Sequence, residues 1–148
     1  MDDEKRYKRY SEKVPIFKGL SPGDVEYILK HGKVLNFFEG KTIFHEGMLG
    51  SNLFIVLHGE VGIYQKNELI AKCKVGDAFG EMAVLNHEPR SATAASLTES
   101  RCFTLDERQV SQLLKKSDVG VKMLLNIIHV LSHRLESANA HIRELKHK

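Results

Sequence analysis

The chain has 148 residues, 42% of them apolar and 28% charged, with a formal net charge of +3. That size suits one ordinary globular domain whose core needs no disulfide help. No apolar run approaches the roughly 20 residues of a membrane helix, and the N-terminal MDDEKRYKRYSEK lacks the apolar centre of a secretory signal, so the expectation is a cytoplasmic protein with no membrane partner.

In chain order, residues 1–20 read as a charged N-terminal segment, with Lys5, Arg6, Lys8, Arg9 and Lys13, leading into a helical stretch. Ser21-Pro22-Gly23-Asp24 then opens a helix. The serine caps it, the proline takes the first helical position and the acid sits in the first turn, while Val25, Ile28 and Leu29 make one buried side and Gly32 ends it. Over residues 33–105 the pattern changes to short apolar runs, KVLNFF, KTIFHEG, NLFIVLHGEVGIYQ, ELIAKC and RCFTL, punctuated by Gly40, Gly47, Gly50, Gly59 and Gly76. These are strand signals. They predict a mainly β fold with flanking helices, an antiparallel β-barrel or jelly roll (a double-stranded β-helix) occupying residues 21–116 together with its helices. Asp106 and Gln109 form a second capping pair, starting a helix through Val110, Leu113 and Leu114.

The last unit, residues 117–148, is a long C-terminal helix. Val121, Leu124, Ile128, Leu131, Leu135, Ala138, Ile142 and Leu145 repeat with the 3.5-residue period of a coiled-coil seam. A second apolar row, Met123, Ile127 and Val130, accompanies only the first half and gives way to Arg134, Ser137 and His141. The first half therefore has two faces to cover and the second half one. The favoured assembly is a parallel homodimer through residues 121–145, with the second row on the chain's own barrel; the alternative is a helix folded back on its own domain.

The search for chemistry starts with enzymes and metals. Near Glu81 and Arg90 the one candidate for a second catalytic group is His87, on what reads as a loop tip between Asn86 and Pro89, where a histidine is far more often exposed than catalytic. His45 and His58 stand alone, so the His-x-His pattern of a metal-bearing barrel is missing. His129 and His133 lie four apart on the last helix, off its apolar seam and with no glutamate between them, and read as surface histidines. Cys73 and Cys102 are too few and too far apart for a CxxC site and read as reduced core thiols. The expectation is a protein that is not an enzyme and holds no metal.

What remains is recognition of an anion in FGEMAVLNHEPRSATAA, residues 79–95. Gly80 lets the backbone approach a ligand, and Glu81-Met82-Ala83 can form a helical turn with free N–H groups. Arg90 carries a permanent charge on a planar fork of donors suited to phosphate. Glu81 is a pure acceptor and suits a hydroxyl donor. An anion site beside a hydroxyl acceptor describes a ribose phosphate.

This stretch resembles the phosphate-binding cassette of the cyclic nucleotide-binding domain, the family that includes regulatory subunits of cyclic-AMP-dependent kinase, cyclic-nucleotide-gated channels and the bacterial catabolite activator. The likeness extends over nearly the whole chain, through VPIFKGLSPGDVEYIL, GSNLFIVLHGEVGIY and the terminal helices. It implies a cyclic nucleotide, cyclic AMP or cyclic GMP, as ligand. Glu81 would accept from the ribose 2′-OH, Arg90 would hold the cyclic phosphate, and Ser91 would reach it with its hydroxyl or N–H. Gly80, Met82 and Ala83 would give main-chain contacts, with Phe79 and Ala92 beside them; the side chains of Phe79, Met82 and Leu85 would serve core packing. Matching HRLESANAHIREL to the last helix of the catabolite-activator branch puts Ala138 and Asn139 where polar residues contact the base. That makes Asn139 a candidate base contact, while the alanine departs from the pattern.

A helix-turn-helix follows the dimer helix in the family's bacterial transcription factors, and this sequence stops short of one at Lys148. The expectation is a stand-alone, bacterial-like sensor module or a piece of a longer parent chain. It would signal to an unidentified effector protein through its C-terminal helix. Two other functions are kept: a degenerate domain serving as a dimerisation or docking scaffold, whose mark would be loss of Glu81 or Arg90, and a nucleic-acid regulator acting through its basic ends. Such ends, here including Arg143, Lys146 and Lys148, are usually only solvated.

Overall fold

The computed structural model describes residues 3–116 and 118–146, and the side chains of residues 3, 4, 82, 83, 85, 116, 134 and 138 lie outside that description. Helix α1 spans Asp3–Lys13, a 3₁₀ turn spans Pro15–Phe17 and α2 spans Pro22–His31. The charged N-terminal segment is thus helical, with Tyr7 and Tyr10 packed on the core while Lys5, Lys8 and Arg9 face out. The second helix starts as its sequence dictates. Asp24 N donates to Ser21 Oγ at 3.1 Å and Ser21 N donates to Asp24 Oδ2 at 3.3 Å, so two otherwise orphaned N–H groups are satisfied reciprocally.

Eight strands follow: β1 Lys33–Phe37, β2 Thr42–Phe44, β3 Asn52–His58, β4 Val61–Gln65, β5 Glu68–Cys73, β6 Ala78–Phe79, β7 Thr93–Ser96 and β8 Ser100–Asp106. They form two antiparallel four-stranded sheets, ordered β1-β8-β3-β6 and β2-β7-β4-β5. Helix α3, Glu81–Asn86, lies between β6 and β7. β3 and β4 are consecutive in sequence but belong to different sheets, so the run NLFIVLHGEVGIYQ turns a corner rather than closing a hairpin. β4 and β5 do form a hairpin, and its turn residues Lys66 and Asn67 both have positive φ, as a right-twisted two-residue turn demands. The five runs read as strands correspond to β1, β2, β3 with β4, β5 and β8. β6 and β7 are additional, and neither carries a strand signal, being two residues long and the small-residue string TAAS.

The strand residues sort by face. On β3, Leu53 and Ile55 point to one core cluster while Phe54 and Val56 point to another; on β8, Phe103 and Leu105 oppose Cys102 in the same way. The first cluster lies between the β1-β8-β3-β6 sheet and the helices, with Phe17, Ile28, Leu113 and Met123. The second fills the space between the two sheets. β3 is therefore buried on both faces, which is why LFIV is an unbroken apolar run rather than an alternating one.

Helix α4, Glu107–Lys116, begins with the predicted reciprocal cap: Gln109 N donates to Asp106 Oδ1 and Asp106 N donates to Gln109 Oε1, each at 2.8 Å. Helix α5 spans Asp118–Lys146; Ser117, where the helix was expected to begin, and Lys148 lie outside the described residues. Met123 and Ile127 are buried in the chain's own core, and Leu131 packs against it. Asn126 ties the helix down further, its Nδ2 donating to Ile16 O and Lys18 O at 2.8 Å each. The other side of α5 is open: Val121, Leu125, Ile128, Leu135, Ile142 and Leu145 are all exposed. Leu125 adds to the expected seam, whereas Leu124 and Leu131 turn partly inward.

Candidate functional site

A cavity of about 410 Å³ opens against the β2-β7-β4-β5 sheet, and its lining brings together Phe79, Gly80, Glu81, Arg90, Ser91 and Ala92 of the predicted set. That volume lies within the usual range of small-molecule pockets. Glu81, Arg90 and Ser91 give the cavity a polar end, and Lys72 and Asp77 are two further charged residues of its lining. Its walls are mostly apolar, with Phe44 from β2, Ile63 from β4, Ala71 and Cys73 from β5, and Ala92 before β7.

The polar end is shaped by the turn from β6 into α3. Gly80 has φ +78, in the left-handed region where a side chain is strained, and a Cβ built there would stand 2.6 Å from Arg90 Nη1. Glycine thus allows both the turn and the approach of the guanidinium. Glu81, the first residue of α3, lines the cavity next to it. Met82 and Ala83 continue α3 through their backbone; their side chains, like that of Leu85, lie outside the described residues.

Arg90 is 7% exposed, unusual for an arginine. Its Nη1 donates to Gly80 O and its Nη2 to Asn52 O, both at 3.0 Å. The main chain is pinned as well, Arg90 N donating to Met48 O at 2.8 Å and Gly47 N donating to Arg90 O at 2.7 Å. The guanidinium lies 4.1 Å from the centroid of the Phe44 ring. Its Nε is buried with no hydrogen-bond partner. Burial lowers the affinity of Arg90 for its proton and the nearby Glu81 carboxylate raises it again; a guanidinium shifted in this way is still a cation at neutral pH. A buried, permanently charged fork whose two terminal nitrogens each spend one hydrogen bond on a carbonyl keeps further N–H groups that suit an anion.

Ser91 is exposed, and its carbonyl accepts from Gln65 Nε2 at 3.1 Å. Phe79 is buried and stacks on Phe54 at 5.1 Å, consistent with a packing role for its ring. Asn139 stands exposed on α5, and among the described residues none from α5 lines the cavity. The side chain of Ala138 lies outside the described residues. Sequence reading passed over Phe44, Gly50 and Asn52. Phe44 looks like any apolar strand residue, Asn52 acts through a carbonyl every residue possesses, and Gly50 reads as a loop glycine. Cys73 and Cys102 are both buried and not in a disulfide, and no group of three or more metal-ligating side chains occurs among the described residues. No helix among them is long and apolar enough to cross a membrane.

Two antiparallel sheets enclosing an anion-receptive cavity, with helices on one outer face, define a small-molecule-binding β-roll. The chain matches the family model of the Cyclic nucleotide-binding domain over residues 34–117. It belongs to that family. A cAMP-dependent protein kinase regulatory subunit from Hypocrea atroviridis is 32% identical over 108 residues, covering 73% of this chain and 23% of the relative. A CRP-like cAMP-activated global transcriptional regulator of Mycobacterium tuberculosis is 27% identical over 136 residues, covering 88% of this chain and 59% of the relative. The solved Catabolite Activator Protein of Thermus thermophilus superimposes with a TM-score of 0.81 at 27% identity, over 90% of this chain and 63% of that one. The chain therefore spans less than two thirds of each of these three proteins.

Proposed function

We propose that this chain is a regulatory module that binds a cyclic mononucleotide, cyclic AMP or cyclic GMP, without acting on it chemically. The carrying observation is Arg90, almost fully buried and charged, in the lining of a ligand-sized cavity beside Glu81 and Ser91. In this reading Arg90 seats the cyclic phosphate and Glu81 accepts from the ribose 2′-OH. Ser91 and the main chain at Gly80, Met82 and Ala83 add further contacts, and Phe79 and Ala92 close the wall. The names of the two relatives, both tied to cAMP, support that ligand class.

The proposed units are a charged N-terminal segment with its entry helix (residues 1–20), the nucleotide-binding β-roll with its flanking helices (21–116) and a coiled-coil-like C-terminal unit (117–148). Two copies join through the exposed row of α5, ligand occupancy alters the disposition of that helix, and an effector protein in the cytoplasm reads the change. Asn139 would approach the base from the partner copy. Thermal denaturation with cyclic AMP and cyclic GMP tests the binding claim. The native chain should gain about 2.7 kcal/mol at a hundredfold excess over Kd, read as a raised Tm, and Arg90→Leu should show none of it. A native chain unmoved by either nucleotide refutes the proposal.

A further inference from the structure

The Arg90 guanidinium is held on several sides by groups that use up few of its hydrogen-bond donors. Its edges meet the Gly80 and Asn52 carbonyls. Against it lies the Phe44 ring, 4.1 Å from the guanidinium carbon, with the Phe54 centroid at 5.9 Å. The Gly50 backbone comes close as well: a Cβ built there would stand 2.9 Å from both Nε and Nη2. Phe44 is itself fixed, 5.8 Å from the Phe54 ring and 6.0 Å from the Phe79 ring, and those two stack on each other. Rings from three strands thus build a platform under one cation.

The choice of an aromatic partner has a chemical consequence. A buried guanidinium needs a negative counterpart; the nearby Glu81 charge supplies part of it, and a carboxylate laid directly on the guanidinium would occupy N–H donors and cancel the charge an incoming anion requires. The negative face of a ring attracts the cation without taking any of its five N–H groups. We infer that Phe44 is the positioning residue of the anion site, its ring face orienting the Arg90 guanidinium without taking any of the N–H groups that the Gly80 and Asn52 carbonyls leave over. The inference rests on the proposed role of Arg90. Without the ring, the arginine visits other rotamers, and affinity falls in proportion to the fraction of molecules that are binding-competent.

Fluorination tests this, because it drains the ring's negative face and changes its shape little. The full chain would carry 4-fluoro-, 3,4,5-trifluoro- or pentafluorophenylalanine at position 44, and calorimetry would measure Kd for cyclic AMP and cyclic GMP. Affinity for whichever nucleotide the native chain binds should weaken stepwise, reaching about tenfold at pentafluorophenylalanine. Phe44→Tyr, which keeps the ring, should stay within about threefold of native, and Phe44→Leu should lose about tenfold. A flat fluorinated series in a chain whose native form binds overturns the role of Phe44 and leaves that of Arg90 standing. Absence of binding by the native chain overturns both.

Discussion

Glu81 and Arg90 sit at one end of the same cavity with opposite charges, and the division of labour between them is open to separate tests. If Glu81 accepts from a ribose hydroxyl, Glu81→Gln should weaken cyclic ribonucleotide binding by about 1.5 kcal/mol, roughly tenfold, since a charged acceptor is being replaced by a neutral one. The same substitution should leave binding of the 2′-deoxy analogue nearly unchanged. Parallel Kd measurements on the two ligands check this, and equal losses on both would remove Glu81 from the sugar site. A different residue controls alkaline stability. Burial, reinforced by neighbouring Cys73, pushes the Cys102 thiol from its ordinary 9.0 up to about 12. A raised value means the contribution is intact below about pH 9 and is lost as pH climbs from there towards 12, because the unfolded thiol ionises first. Tm measured between about pH 8 and 10.5 should fall for the native chain and fall less for Cys102→Ala. Much of the polar end of the site was legible, because Gly80, Glu81, Arg90 and Ser91 lie in one short stretch and carry distinctive chemistry. Phe44 and Asn52 were not: they come from distant sequence, and a ring face or a main-chain carbonyl has no motif.

At the scale of elements, legibility followed local physics. Both reciprocal caps, Ser21 with Asp24 and Asp106 with Gln109, were readable because a cap depends on residues three apart. Asp106→Ala should cost about 1 kcal/mol of stability, lowering Tm by about 2–4 °C, with the Gln109 backbone N–H left without its acceptor. Thermal denaturation of the unliganded variant measures it. β6 and β7 escaped because they exist only through their neighbours, β6 against β3 and β7 between β2 and β4. The helical state of Asp3–Lys13 was also missed: its sequence is dominated by charge, and what orders it is the packing of two tyrosines on a core formed elsewhere. The period of α5 was plain in the sequence. Its division between an inward row and an outward one was not fully so, since the placement of Leu125 depends on how the helix is rotated against the core.

For the molecule as a whole, the exposed row on α5 argues for a second copy. Leu135 is 62% exposed and stands midway along the open stretch. Leu135→Lys should convert a dimer into a monomer by light scattering, while the Tm of the dilute protein changes little, because no contact within the chain is removed. A native chain that is monomeric at high concentration would end the dimer proposal. The sheet order has a consequence of another kind, for the chain as it is made. β8 lies between β1 and β3, so Lys33 pairs with Thr104, and the first strand acquires its hydrogen-bonded neighbour only when nearly the last sheet residue has arrived. A ribosome that has delivered residues 33–99 has produced both flanks of a sheet with no centre, including the apolar strand β3 with an unpaired edge. Folding must wait for Ser100–Asp106, which makes the nascent chain slow to fold and most exposed to misassociation just before its final strand emerges.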